Sequence, residues 1–176
     1  TVEEVVAGLK PYLKRKVKYT IRPVKEEDLK KVAEVEALCF PAAEAAGYED
    51  FMERYKTCKN SFFVAETEDG EIAGFCNADT DYLADALYHD ATLHNPDGDY
   101  QMIFGLDVNP KFQKQGIGEA LMRHMVKSAG ERDKKAVVLT CKDHMIPFYK
   151  RIGYEYIELS DSTHGGAKWH KMMYRF

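Results

Sequence analysis

Two rhythms of apolar positions run along the chain. Val2, Val5, Val6, Leu9 and Leu13 recur at helical spacing and predict a short amphipathic helix within residues 1–16, interrupted by Pro11. Val17-Lys18-Tyr19-Thr20-Ile21-Arg22 alternates instead, as a half-buried strand does, and stops at Pro23. Residues 26–40 return to the helical period. Leu29, Val32, Ala33, Val35, Glu36, Leu38 and Cys39 give them a mostly apolar face, broken at Phe40-Pro41. A second helix over residues 44–57 carries Tyr48, Phe51, Met52 and Tyr55.

Strands follow. Residues 61–67 and 72–78 flank Asp69-Gly70, a hairpin signal. Residues 100–108 form a further strand, and residues 116–130 an amphipathic helix with Leu121, Met122, Met125 and Val126 inward. The near-continuous apolar run over residues 136–141 is of the buried-strand type. A short helix with Ile146, Phe148, Tyr149 and Ile152 ends at Gly153, and residues 154–159 and 168–175 are the last strands. Residues 81–98 form a long insert rich in Tyr, His and Asp, and loops of that length are often functional. The order β-α-α-β-β-β-α-β-α-β-β predicts an α/β fold with one mixed sheet of about seven strands flanked by helices.

Composition narrows the setting. A chain of 176 residues suits one domain, read here as residues 17–176 behind an N-terminal extension of residues 1–16. No stretch approaches the roughly 18 apolar residues of a membrane span. A net charge of −4 argues against broad nucleic-acid binding and is compatible with a cationic substrate such as an amine. Cys39, Cys58, Cys76 and Cys141 are scattered without a C-x-x-C pair, which points to reduced thiols in the cytoplasm rather than disulfides or a metal site.

The densest signal is Leu106-Asp107-Val108-Asn109-Pro110-Lys111-Phe112-Gln113-Lys114-Gln115-Gly116-Ile117-Gly118-Glu119-Ala120-Leu121. A strand ends at Asn-Pro, a basic and amide-rich turn follows, and a helix begins on Gly-x-Gly. Glycines there let a ligand approach the backbone, and the first turn offers unpaired N–H groups at the positive end of the dipole. That makes a phosphate cradle, against the plainer reading of a tight turn. The spacing is too short for a P-loop. Gln113-x-x-Gly116-x-Gly118 after the strand resembles the pyrophosphate-binding turn of the GNAT acetyltransferases, which holds coenzyme A.

The likeness to the GNAT fold runs from Tyr19 to Phe176. Phe40-Pro41-Ala42-Ala43-Glu44-Ala45-Ala46, Phe63-Val64-Ala65-Glu66, Thr92-Leu93-His94-Asn95-Pro96-Asp97-Gly98, and Cys141-Lys142-Asp143 leading to Pro147-Phe148-Tyr149 resemble the arylalkylamine N-acetyltransferase branch and its microbial relatives. The resemblance implies that the backbone of Leu106, Asp107 and Val108 pairs with the pantetheine arm of acetyl-CoA, the cosubstrate. It places the pyrophosphate on Gln113, Lys114, Gln115, Gly116, Ile117, Gly118 and Glu119, aided by the charges of Lys111 and Lys114 unless these are ordinary surface lysines. Tyr149 matches the family's tyrosine. A phenol of reference pKa about 10 can protonate a leaving thiolate at neutral pH; the bland alternative is a packed core tyrosine.

One departure concerns the base. Where the arylalkylamine enzymes have two histidines, this chain has Met102 and Phe104, which simple alternation puts on one apolar face with Leu106. His89, Asp90, His94, His164 or a water chain are the replacements, each histidine also readable as an exposed loop residue. Acceptor contacts are expected from Phe40, Pro41, Asp90, Met102, Phe104 and His164. Cys141, ending a buried strand, is a competing nucleophile, although buried cysteine usually behaves as a small hydrophobe. The expected activity is direct acetyl transfer to a primary amine: an arylalkylamine, a polyamine, an amino acid or a protein amine. The alternative is a non-catalytic acyl-CoA-binding sensor or partner module. Neither nucleic acid, nor membrane, nor metal is expected, and the sequence admits a homodimer without specifying one.

Overall fold

The computed structural model describes residues 1–9, 16–80 and 98–176. His89, Asp90 and His94 lie outside them. The elements are α1 (Val2–Leu9), β1 (Tyr19–Pro23), α2 (Leu29–Cys39), α3 (Tyr48–Cys58), β2 (Phe62–Thr67), β3 (Ile72–Thr80), β4 (Tyr100–Val108), α4 (Ile117–Glu131), β5 (Ala136–Cys141), α5 (Ile146–Ile152), β6 (Glu155–Leu159) and β7 (His170–Arg175). The seven strands form one sheet in the order β1-β2-β3-β4-β5-β7-β6. All neighbours are antiparallel except β4 and β5, which are parallel.

Helical periodicity decides which side chains face the sheet. On α4, Ile117, Leu121, Met122, Met125 and Ala129 are buried in one core with Tyr149 and Ile152 of α5 and with Cys76, Ala78, Ile103, Val137 and Leu139 of the strands. On the opposite face, Leu29, Val32 and Val35 of α2 and Phe51 of α3 pack with Phe62, Val64, Ile72 and Phe75. Phe51 meets Phe75 edge-on, with ring centroids 5.3 Å apart, and this contact seats α3 against the sheet.

Two irregularities of β4 shape the molecule. Leu106 pairs with Cys76 and Ile103 with Ala78, so three residues of β4 span what two span on β3. The extra residue is a β-bulge at Phe104. Directly paired residues share a face. Leu106 therefore joins the α4 core with Cys76, while Asp107, opposite Phe75, turns to the α2–α3 face. The expectation that Met102, Phe104 and Leu106 share one face is corrected: Met102 and Phe104 form a separate small cluster with Val138. Alternation assumed a regular strand, and the bulge inverts it.

The second irregularity is a fork. β4 pairs with β5 only at Tyr100–Ala136, Gln101–Val137 and Met102–Val138. Beyond Met102 the strands separate. The Asn109 N–H bonds the Ala73 carbonyl at 2.8 Å, so the odd-numbered residues at this end face β3, and the polar backbone groups of Leu106 and Val108 face the opening.

Candidate active site

The fork opens into a cavity of about 860 Å³. It runs from the start of α4, past α5, to α2 and α3. Unpaired strand edges seek a partner: Leu106 turns its backbone groups and Val108 its N–H to the opening, while the Val108 carbonyl already accepts from the Gln113 amide and the Cys39 thiol.

At one end lies the turn before α4. Gly116 caps the helix with φ +84°, and Lys114 before it has φ +61°. Both are left-handed conformations, which for glycine cost little. Gln113, Lys114, Gly116, Ile117, Gly118 and Glu119 all line the cavity. The helix start therefore turns its free N–H groups towards the cavity, an arrangement that can receive an anion. Gln115 does not line it; its side-chain carbonyl accepts the Val17 N–H at 2.9 Å and ties the turn to the start of the domain. The Gln113 amide donates to the Val108 carbonyl at 2.9 Å. Lys111 is committed elsewhere, in an ion pair with Glu71 at 2.8 Å, and Glu119 pairs with Arg123 at 2.9 Å.

Tyr149 stands mid-cavity. It is 6% exposed, and its ring meets Phe148 and Tyr154 edge-on with centroids 5.0 and 5.6 Å apart. Its helix is short, and Gly153 at φ +114° ends it. Cys141 also lines the cavity, but burial, reinforced by Asp143, pushes its thiol up to about 11. A nucleophilic cysteine needs the opposite shift, so the competing covalent reading loses its chemistry.

At the other end an acidic pair is buried. Asp107 of β4 is 2% exposed and Glu36 of α2 is 7% exposed, and both line the cavity. Neither Asp107 oxygen meets a hydrogen-bond donor among the described residues. The Glu36 carboxyl lies against it instead. Two acceptors in contact bond only through a shared proton. Burial first, then the Glu36 hydrogen bond and charge, raises Asp107 well above the usual carboxylate range, while Arg54 opposes this. Glu36 also accepts the Ala46 N–H at 3.0 Å, which fixes the segment after Pro41. Arg54 of α3 lies 4.5 Å over the Phe104 ring and 5.3 Å from that of Phe51.

A bridge covers this end. Lys142 pairs with Glu44 at 2.8 Å, and a His164 ring nitrogen lies 3.1 Å from the Glu44 carbonyl. The Trp169 indole donates to the His164 carbonyl at 2.9 Å. Gly165 has φ +63°, and a Cβ there would overlap the Glu44 side chain. The close approach of the two loops thus depends on glycine.

The fold gathers most of the residues singled out in the sequence. Phe40, Phe104 and His164 line the cavity. Pro41 does not; its carbonyl accepts from Glu44 and Ala45 in the turn that shapes the wall. Met102 is buried at 2% exposure beside Val138, away from the lining, because the bulge turns it into the small cluster. The acidic side chain of Asp107, together with Glu36 and Arg54, was missed. The available signal was an acid on an otherwise apolar helix face at Glu36 and a lone acid in the apolar run from Ile103 to Val108. Among the described residues no three His, Cys, Asp or Glu side chains are grouped to hold a metal ion, and no helix is long and apolar enough to cross a membrane.

Known proteins share the fold. A probable hydrolase of Bacillus subtilis is 27% identical over 78% of this chain and 28% of its own length. An uncharacterized N-acetyltransferase of Methanocaldococcus jannaschii is 28% identical over 78% of this chain and 61% of its own. The serotonin N-acetyltransferase of Mesocricetus auratus is 32% identical over 36% of this chain and 31% of its own. The chain thus spans under two thirds of each of these curated relatives. Among solved structures, a GNAT-like decarboxylase in complex with isobutyryl-CoA superposes with a TM-score of 0.77 at 21% identity, covering 89% of this chain and 98% of that one. The ribosomal-protein-S18-alanine N-acetyltransferase of Escherichia coli gives 0.68 at 19% identity, covering 90% and 94%. At such identities these structures speak for the fold. The model of the acetyltransferase (GNAT) family matches residues 29–154, from the first residue of α2 to the residue before β6, and the chain belongs to that family.

Proposed function

We propose that this protein is an N-acetyltransferase that moves the acetyl group of acetyl-CoA directly to the primary amine of a small acceptor. The observation that carries this reading is the fork in the sheet, with Tyr149 packed in the α4 core on one face and Asp107 turned to the other, both lining one cavity. Acetyl-CoA supplies an activated thioester. Leu106 and Val108 hold its pantetheine arm through backbone groups, and Lys114 and the N–H groups through Glu119 take the pyrophosphate.

An amine of pKa near 10 arrives protonated and must lose that proton before it attacks. The Glu36–Asp107 pair is the proton acceptor. An ammonium beside the pair favours its second ionisation, and the shared proton passes to solvent. The freed carboxylate then takes the proton of the reacting nitrogen. Tyr149 donates its hydroxyl proton to the departing thiolate, and the second proton shed by the acylated nitrogen restores the phenol. Direct transfer agrees with the raised thiol of Cys141.

The test is thiol release from acetyl-CoA across a panel of amines and amino acids, with calorimetric binding of coenzyme A alongside. Acceptor-dependent release supports the enzyme. Coenzyme A binding with no acceptor-dependent release would assign a sensor or partner module instead.

A further inference from the structure

Arg54 has no role in the reading above. Its guanidinium lines the cavity, held over the Phe104 ring at 4.5 Å, and among the described residues it makes no hydrogen bond or ion pair. Its acidic neighbours Glu36, Asp50 and Asp107 act on it only through space. Two of them have other commitments: Glu36 accepts from the Ala46 N–H at 3.0 Å, and Asp50 from the Gly47 N–H at 2.8 Å. Asp107 is buried with both oxygens lacking a donor. Among the described residues, one cavity therefore holds a guanidinium without a hydrogen-bond partner and a carboxyl whose one close polar contact is a second acid, near enough to feel each other and too far apart to pair.

Desolvated polar groups are costly when left without partners. A guanidinium has five N–H donors in a fixed fork suited to a carboxylate. A ligand that completes both groups must bear a cation at one end and an anion at the other. We infer that the acceptor is a free amino acid, its amine set at Asp107 and its carboxylate at Arg54. This rests on the acetyltransferase reading and names the class of its acceptor.

Charge balance supports the same class. With one proton shared between Glu36 and Asp107, that pair carries a single negative charge and Arg54 a single positive one. A zwitterion enters without changing the sum. A monoamine or polyamine adds positive charge beside a guanidinium already short of partners. The bridge from Glu44 to Lys142 and His164 also covers the acceptor end, which suits a small molecule.

The test pairs each amino acid with its decarboxylated amine: phenylalanine with phenethylamine, leucine with isoamylamine, lysine with cadaverine. Thiol release is read as kcat/KM, and the ratio within a pair is independent of the fraction of active protein. The inference expects at least one amino acid to exceed its amine by about tenfold or more. In Arg54→Gln that ratio should collapse towards one, mainly through KM. Arg54→Lys, which keeps the charge and loses the fork, should retain an intermediate ratio. Amines turned over as well as their amino acids, or a ratio unchanged in Arg54→Gln, would overturn the inference and leave the acetyltransferase reading standing. An amino acid that binds the coenzyme A-loaded protein by calorimetry in an Arg54-dependent way, without turnover, would uphold the recognition and reject the enzyme. If no amino acid of the twenty proteinogenic ones binds or reacts, the inference fails.

Discussion

The two ends of the cavity are built from different materials. The α4 end is made of backbone: a helix start, a glycine in the left-handed region and the open edge of β4. The α2–α3 end is made of side chains brought from separate elements: Glu36 from α2, Arg54 from α3, Asp107 from β4 and His164 from the loop before β7. A backbone site depends on local chain geometry and so is written in one contiguous stretch of sequence. A side-chain site depends on packing between elements. The contrast explains how one end suits a ligand common to a whole family while the other is free to vary.

Substitutions at the junction and at each end test the contrast. The largest effect is expected from Tyr149→Phe, which keeps the ring contacts and removes a hydroxyl. Turnover should fall by about 10²–10⁴, the scale of general acid catalysis, while calorimetric coenzyme A affinity stays near that of the parent. A rate within twofold of the parent would leave Tyr149 as a packing residue.

Asp107→Asn comes next. Glu36 remains as a second carboxylate, so a loss of about 10–10² is expected, with the rise of rate with pH flattened. Stability carries a sign of its own. The native state holds the Asp107 proton more tightly than the unfolded chain does. Raising the pH from about 4, the ordinary aspartate value, towards the raised native value therefore removes stability. Urea midpoints of the parent should fall relative to Asp107→Asn over that window. Parallel midpoints across it would contradict a raised proton affinity.

At the backbone end the effect should fall on binding. A Cβ at Gly118 would sit 3.5 Å from Val108 and 3.7 Å from Phe148, which is ordinary contact, so Gly118→Ala is tolerated. Gly118→Trp fills the cradle and should weaken coenzyme A by about tenfold or more. Gly116→Ala acts through strain at positive φ, about 1–2 kcal/mol, and not through a clash, since nothing lies within 4 Å. Unchanged affinity in folded Gly118→Trp would displace the pyrophosphate from this turn.

The smallest effect is expected from His164→Ala. It removes a contact with the Glu44 carbonyl worth about 1 kcal/mol, so the acceptor KM should rise severalfold. The shape of the pH profile should persist. Loss of an inflection near neutrality would instead make His164 the base.

The same contrast marks what the sequence disclosed. The order of strands and helices, the turn before α4 and the place of Tyr149 were all legible, because each rests on periodicity or on a contiguous motif. Asp107 was legible only as backbone. The face its side chain takes is set by one bulged residue, Phe104, which no local pattern announces. Glu36 stood in plain view on an apolar helix face without a visible partner, since that partner arrives from a strand about 70 residues on. Arg54 reads as an ordinary surface charge until Phe51, one turn earlier, anchors α3 against Phe75.

The fork between β4 and β5 also has a mechanical meaning. The β1–β4 half and the β5–β7 half of the sheet share strand pairing only across Tyr100–Met102 and Ala136–Val138. A load that pulls them apart at the far end meets side chains and helix α4, and no ladder. A ligand lying between the halves then serves as a splint, and the stiffness of the molecule becomes a property of its loaded state. Amide exchange should register this one-sidedly: Leu106 and Val108 should gain protection on coenzyme A binding far more than the amides of β4 that already face β3.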